Sequence, residues 1–218
     1  MKKFNSNILQ AYFICGSQDI PQGQSLIKIV ETALKSGITA FQFRDKGTNS
    51  TLKEAERLPM AQHLHELCQA YQVPFFIDDD LALAKKVNAE GIHVGQSDTA
   101  IEQVISEVAE QMIVGYSCSN STQIKQANQI AGIDYYGSGP IFATTSKSDA
   151  DPEIGVAGLA TLVNESTRPI VAIGGIKETD LTAIAQTGAA GAAVISMIAQ
   201  SNNIAKTVAT MNNAPWHK

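Results

Sequence analysis

Cysteine is scarce in this 218-residue chain, and Cys15, Cys68 and Cys118 are odd in number and far apart. That spacing argues against a disulfide framework and a zinc site, and a reducing cytoplasm is the simplest setting for it. Long apolar runs are missing too: no stretch approaches the ~18–20 residues of a membrane span. The opening MKKFNSNILQAYFICG carries two lysines, but its apolar patch is short, interrupted by Gln10 and followed by no small-residue cleavage site. It reads as a first strand, not a signal peptide. Excess positive charge is also absent. A formal charge of −5 gives no reason to expect nucleic acid or an anionic membrane as partner. Nor is there a linker, a composition shift or a low-complexity tract, so residues 1–218 read as one domain. What is present is 44% hydrophobic residues, enough for one sizeable core.

Short apolar runs alternate with longer amphipathic ones from end to end. Strands are expected at 9–15, 39–44, 74–77, 91–94, 112–117, 134–137, 169–173 and 190–195. Helical periodicity lies between them, for example at 25–35, 52–71, 122–131, 157–165 and 178–186. Gly37, Gly91, Gly132 and Gly188 each follow a helical run and precede a strand, the position of a helix-ending glycine. Eight such units, at roughly 27 residues each, need only short connections. The alternation implies a parallel sheet, and eight units favour closure into an α/β (β/α)8 TIM barrel. In that fold chemistry lies at the carboxyl ends of the strands.

The stretch 135–147, YYGSGPIFATTSK, begins as an aromatic strand, turns sharply at Gly-x-Gly-Pro and ends in three hydroxyls and a lysine. Exposed amides, hydroxyls and an ammonium on one rim suit a phosphate. At the second rim Gln42, Arg44 and Lys46 share one face by the period of a strand. An amide and two cations facing inward need an anion, or a neutralising carboxylate such as Asp45 or Asp79. Asp78, Asp79 and Asp80 close the third strand, and Asp98 follows the fourth. Asp80 is the natural helix cap. The remaining acids, on neighbouring rims, can reach one ion, and magnesium favours oxygen ligands completed by substrate phosphate. His93, inside its strand, reads as a packed or hydrogen-bonded histidine. Ser117 can meet a ligand, Ser119 or Ser121 can cap the next helix, and Cys118 has no local histidine or lysine to activate it. Gly174-Gly175 after the seventh strand and Ser196 after the eighth form a second anion cup, where barrels often hold phosphate. Two anion sites and no evident general base imply two phosphorylated substrates and a diphosphate-leaving reaction that runs on positioning and charge stabilisation.

Taken in order, these motifs resemble the thiamine-phosphate synthase family over nearly the whole chain. The resemblance rests on Q-x-R-x-K at 42–46, the acidic pair Asp78-Asp79, H-x-G-Q-x-D at 93–98, G-x-S at 115–117, the stretch 135–147, A-I-G-G-I at 172–176 and V-I-S at 194–196. It implies a phosphate-binding TIM barrel that joins an aminopyrimidine-methyl diphosphate to a thiazole-ethyl phosphate, or its 2-carboxylate, and releases diphosphate. By motif, Gln42, Phe43, Arg44, Asp45, Lys46, Asp78, Ser117 and Lys147 would hold the pyrimidine diphosphate, with Lys147, Arg44 and Lys46 stabilising the leaving anion. Asp79 and Asp98 would hold Mg2+. Thr144, Thr145, Ser146, Gly175, Ile195 and Ser196 would hold the thiazole phosphate, and residues 143–154 would close over both. Two positions depart from the family: Asp78 stands where asparagine is usual, open to a metal or a substrate role, and Ser146 where threonine is common.

Two other readings compete. The related thiazole tautomerases share the barrel but lack much of the diphosphate and metal set, and this chain has Cys118 where their acid–base histidine would be sought. A non-catalytic barrel binding thiamine phosphate would need a partner surface, and the polar tail after Ser196, with its single Trp216, offers none. Surface composition leaves a monomer and a homo-oligomer equally open.

Overall fold

A computed structural model describes residues 4–47, 49–108, 110–144, 146 and 152–216. Its eight strands are β1 (Ala11–Cys15), β2 (Ala40–Phe43), β3 (Phe75–Asp78), β4 (Gly91–Val94), β5 (Ile113–Ser117), β6 (Tyr135–Ser138), β7 (Ile170–Ile173) and β8 (Gly191–Val194). They pair in parallel and in order, and β8 returns to β1 to close the barrel. Helices α1 (Leu26–Lys35), α2 (Glu54–Ala70), α3 (Leu81–Val87), α4 (Ile101–Val108), α5 (Ser121–Ala127), α6 (Gly155–Glu165) and α7 (Leu181–Gln186) connect them, and α8 (Ser196–Ala199) and α9 (Ile204–Asn212) follow β8. None of the described helices is long and apolar enough to cross a membrane.

The strands read as continuous apolar runs because both of their faces are covered. Alternate side chains separate into two cores. Phe13, Phe41, Phe43, Phe75, Ile77, Ile92 and Val94 face outward under the helices. Tyr12, Ile14, Ala40, Phe76, Ile113, Tyr135, Val171 and Ala193 fill the barrel itself. The rings of Tyr12, Phe76 and Tyr135 meet there at centroid distances of 5.3–6.2 Å. Above this aromatic plug, towards the carboxyl ends of the strands, the barrel opens into a cavity. Trp216 belongs to the outer core: it is buried, and its Nε1 donates to the Met211 carbonyl at 2.7 Å.

Three sequence expectations change here. Gly91 does not end a helix; Asn88, in the left-handed conformation, ends α3. Gly91 is instead the first residue of β4, and a Cβ there would sit 2.1 Å from the Phe76 ring, so the glycine makes room for the plug. The cap of α5 is Asn120, whose side chain accepts from the Gln123 amide at 3.0 Å, in place of Ser119 or Ser121. Residues 9 and 10 precede β1, because Leu9 ends a short 3-10 turn. Asp80 does cap α3, accepting from the Leu83 amide at 2.9 Å.

Candidate active site

The strand ends surround a cavity of about 380 Å3. Gln42, Arg44, Lys46, Asp78, Asp79, Asp98, Ser117, Thr144, Ser146, Gly175, Ile195 and Ser196 all line it. Seven strand ends and the loops that follow them, distant in sequence, thus meet in one place. Thr145 and Lys147, with half of the 143–154 loop, lie outside the described residues.

Two residues of the pyrimidine-diphosphate set turn away. The Phe43 side chain is 2% exposed and belongs to the outer core, as alternation after Gln42 requires. Asp45 is also buried, and ties two loops together: its Oδ1 accepts from the Ser17 amide at 2.8 Å and its Oδ2 from the Ser50 hydroxyl at 2.6 Å. Sharing a motif with Arg44 placed both of them in that set; the pleat puts their side chains on the other face.

The charged rim is built by β2 and β3. Lys46 Nζ lies 3.2 Å and Arg44 Nε 3.4 Å from Asp78 Oδ2. That oxygen is buried and receives no well-angled hydrogen bond, so charge alone holds it. Lys46 also pairs with Asp79. The neutralising carboxylates are therefore Asp78 and Asp79, and Asp45 is not among them. Asp79 adopts a left-handed backbone, φ 59°, which costs a non-glycine residue and recurs at functional sites; its amide donates to the His93 carbonyl at 2.9 Å.

Burial raises the pKa of Asp78, and Lys46 and Arg44 offset it only in part. Burial and then the neighbouring Asp78 raise Asp79. Burial and then Asp79 raise Asp98. Burial opposes the Lys46 ammonium, but the Asp78 and Asp79 carboxylates outweigh it and raise its pKa. Two cations, Arg44 and Lys46, stand among three acids here, so the rim is short of positive charge. The donors facing each other at Asp79 and Asp98 are oxygens only, and among the described residues no cluster of three or more histidines, cysteines or acids is ready-made for a metal. Two carboxylates on a cation-poor rim fit a hard divalent ion that takes its other ligands from phosphate and water.

On the far side of the cavity the β7 and β8 loops present Gly175, Ile195 and Ser196. Gly174 and Gly175 have positive φ, 99° and 65°, and a Cβ on Gly175 would meet the Ala143 carbonyl oxygen at 2.4 Å. The pair therefore serves close packing against the loop after β6 as well as access to amides. Cys118 is buried, and burial pushes its thiol up to about 12, the opposite of an activated nucleophile.

Sequence reasoning did not anticipate Tyr12, Ile14 or Ile173, which also line the cavity. Their signal was present in principle, since each lies on the inward period of its strand.

Cations, acids and glycine turns gathered at the mouth of a closed (β/α)8 barrel define an enzyme of the phosphate-handling barrel class. Orotidine 5'-phosphate decarboxylase from Pyrococcus horikoshii shares that fold at 14% identity, with a TM-score of 0.65 over 93% of this chain and 97% of the other. Within the class the sequence is more specific: the family model "Thiamine monophosphate synthase" matches residues 11–198, and the chain belongs to that family of transferases. It is 55% identical over 212 residues to a thiamine-phosphate synthase from Lactiplantibacillus plantarum, covering 97% of each chain. Against the thiamine-phosphate synthase of Listeria monocytogenes it is 46% identical over 206 residues, 94% of this chain and 96% of the relative. The solved thiamine phosphate pyrophosphorylase of Pyrococcus furiosus superposes with a TM-score of 0.81 at 30% identity, over 94% of this chain and 95% of that one.

Proposed function

We propose that this chain joins a 4-aminopyrimidine-methyl diphosphate to a thiazole-ethyl phosphate, forming thiamine phosphate and releasing diphosphate. The observation that carries this reading is the two-sided cavity. One wall holds Arg44 and Lys46 among three acids, and the other holds Gly175, Ile195 and Ser196 with Thr144 and Ser146. A cavity of about 380 Å3 lies in the range of small-molecule sites.

In this reading Arg44 and Lys46 hold the diphosphate, and they turn to it from Asp78 and Asp79. By the resemblance, Lys147 joins Arg44 and Lys46 at the diphosphate, and Thr145 belongs with the thiazole-phosphate set. The carbon–oxygen bond to the diphosphate breaks first, and the bonding electrons leave with the diphosphate. The aminopyrimidine delocalises the cation left on its methylene carbon, and the thiazole nitrogen then supplies the pair that forms the new carbon–nitrogen bond. Arg44 and Lys46 act on the charge that grows on the leaving oxygen, where fixed cations contribute most. Gly175, Ile195, Ser196, Thr144 and Ser146 position the thiazole phosphate so that its nitrogen is the nearest nucleophile. Asp79 and Asp98 would hold magnesium, which when bound neutralises diphosphate charge. Three buried, unpaired cysteines support a reducing, cytoplasmic setting.

The test is a coupled assay for thiamine phosphate and diphosphate with both substrates, with and without magnesium. Magnesium-dependent formation of both products in equal amounts is expected. Tight binding of both substrates without turnover would instead mark a sensor barrel, and isomerisation of the thiazole alone a tautomerase.

A further inference from the structure

A chain of hydrogen bonds crosses the floor of the cavity between Gln42 and Ser117, through Tyr12, Tyr135 and His93, to which the proposed reaction gives no role. Gln42 Nε2 donates to the Tyr12 hydroxyl at 2.9 Å. Tyr12 and Tyr135 hydroxyls are 3.1 Å apart. The Tyr135 hydroxyl is 3.1 Å from His93 Nδ1, and His93 Nε2 is 3.0 Å from the Ser117 hydroxyl. The imidazole occupies a slot made for it: a Cβ on Gly115 would lie 2.4 Å from His93 Nδ1, and one on Gly137 would lie 2.9 Å from its Cε1. Two strands therefore omit side chains where this ring lies.

A phenol oxygen can accept twice but has one proton to give, and a buried O–H needs an acceptor; with Gln42 donating at one end, pairing every proton runs the chain in one direction. Tyr12 accepts from Gln42 and donates to Tyr135. Tyr135 in turn donates to His93 Nδ1, which leaves the imidazole proton on Nε2 to be donated to Ser117. Burial raises both phenols well above their usual pKa, so both stay protonated donors. The two ends then face the cavity with opposite character. Gln42 keeps its carbonyl Oε1 as an acceptor, and Ser117, which already accepts from His93, keeps its own proton to donate. A 4-aminopyrimidine carries the complements, an amino donor beside a ring-nitrogen acceptor. Its 4-oxo counterpart carries the reverse, a carbonyl acceptor beside a ring N–H.

We infer that Tyr12, Tyr135 and His93 are positioning residues, a relay that fixes Gln42 as acceptor and Ser117 as donor and so selects the 4-aminopyrimidine over the 4-oxopyrimidine. The assignment rests on the reaction proposed above. A site built to hydrogen-bond a group rejects the analogue that leaves its polar atoms unpaired.

Steady-state kinetics with the 4-amino and 4-oxo pyrimidine-methyl diphosphates test it, in the wild type and in Tyr12→Phe, Tyr135→Phe, His93→Gln and His93→Leu, with thermal unfolding of each. Each tyrosine variant is expected to raise KM for the 4-amino substrate on the order of tenfold and to lower the preference over the 4-oxo analogue by a similar factor. KM for the thiazole phosphate should stay put. His93→Gln, which keeps an N–H for Ser117, should retain more of the preference than His93→Leu. If one tyrosine variant fails to fold, the other, at the neighbouring link, reads the same relay. Folded variants with wild-type KM and preference would overturn the relay, as would equal losses towards both substrates, which mark mere support of the fold. A wild type that makes no thiamine phosphate overturns the parent reaction, and the relay's role with it.

Discussion

Replacing Asp98 with asparagine separates a metal-binding role from a structural one, because the two predict opposite changes in stability. Asp98 Oδ2 accepts from the Gly95 amide at 2.8 Å, and an asparagine carbonyl can keep that bond, so the turn should survive. What goes is the charge. Burial and then Asp79 raise the Asp98 pKa above its ordinary 3.8, so the folded chain binds a proton there more tightly than the unfolded chain. Stability from this group therefore falls as pH rises from about that value through the raised one, and at neutral pH the ionised pair is a liability. Asp98 stands on an open rim where solvent screens charge, so the relief is about 0.5 kcal/mol, roughly 1–2 °C in Tm for a chain of this length. Activity should move the other way. Loss of one of the two carboxylates proposed to hold magnesium is expected to cost on the order of 10²-fold in kcat/KM. Thermal unfolding in metal-free buffer and a magnesium titration of the rate would be run on the same preparations. Asp98→Asn should be slightly more stable without metal, gain less than the wild type from magnesium, and be slow. A variant that is less stable without metal and keeps full activity across the titration would refute the reasoning.

Two further perturbations follow from the same charges. Glu90 accepts from the Phe75 amide at 2.9 Å and lies 3.0 Å from His65 Nε2, on the opposite side of the barrel from the cavity; the pair raises His65 above 6.5 and, against the effect of burial, lowers Glu90 below 4.5. Its stabilisation is complete between about those values, lost above as His65 deprotonates and below as Glu90 protonates. Glu90→Gln should therefore lower Tm by roughly 2–4 °C near pH 5.5, for about 1 kcal/mol after discounting Glu90's exposure, with a smaller gap at pH 8.5 and unchanged turnover; a gap that widens with pH would contradict the pairing. Asp78→Asn removes a buried carboxylate whose burial cost exceeds the pull of its two cations, and frees Arg44 and Lys46. It should leave stability within about 1 kcal/mol of wild type and lower KM for the pyrimidine diphosphate, and a loss of activity would assign Asp78 to the metal or to the fold.

The barrel was legible because its two faces are both apolar, so each strand shows as a run and each helix as a period. The charged rim was legible because it lies at strand ends, where the fold dictates the side of the chemistry. Residues one position out of phase were not. Phe43 and Asp45 share the motif with Gln42 and Arg44, and only the pleat separates them. Gly91 was read as a helix stop because nothing local shows that Phe76, on the neighbouring β3, needs its space. Asn120 and Asn88 took positions expected of serine and glycine, since several residue types satisfy a cap or a left-handed turn and tertiary packing chooses among them.

The hydrogen-bonded floor was the least legible feature, and the reason is physical. Tyr12 and Tyr135 look like core in a sequence, and their rings are core: both are fully buried against Phe76. Their hydroxyls, however, point up out of the plug to Gln42 and His93. A barrel of eight short strands has one interior, so the residues that fill it also form the base of whatever site opens above. Phenylalanine would fill the same volume, yet it would take one hydrogen bond from Gln42 or from His93 Nδ1 in a poorly solvated place, where a lost partner costs more than a hydrogen bond returns. The phenol oxygens thus answer to the site while the rings answer to the fold. That division is why Tyr→Phe, which spares the ring and deletes only the oxygen, can tell the two roles apart in one experiment.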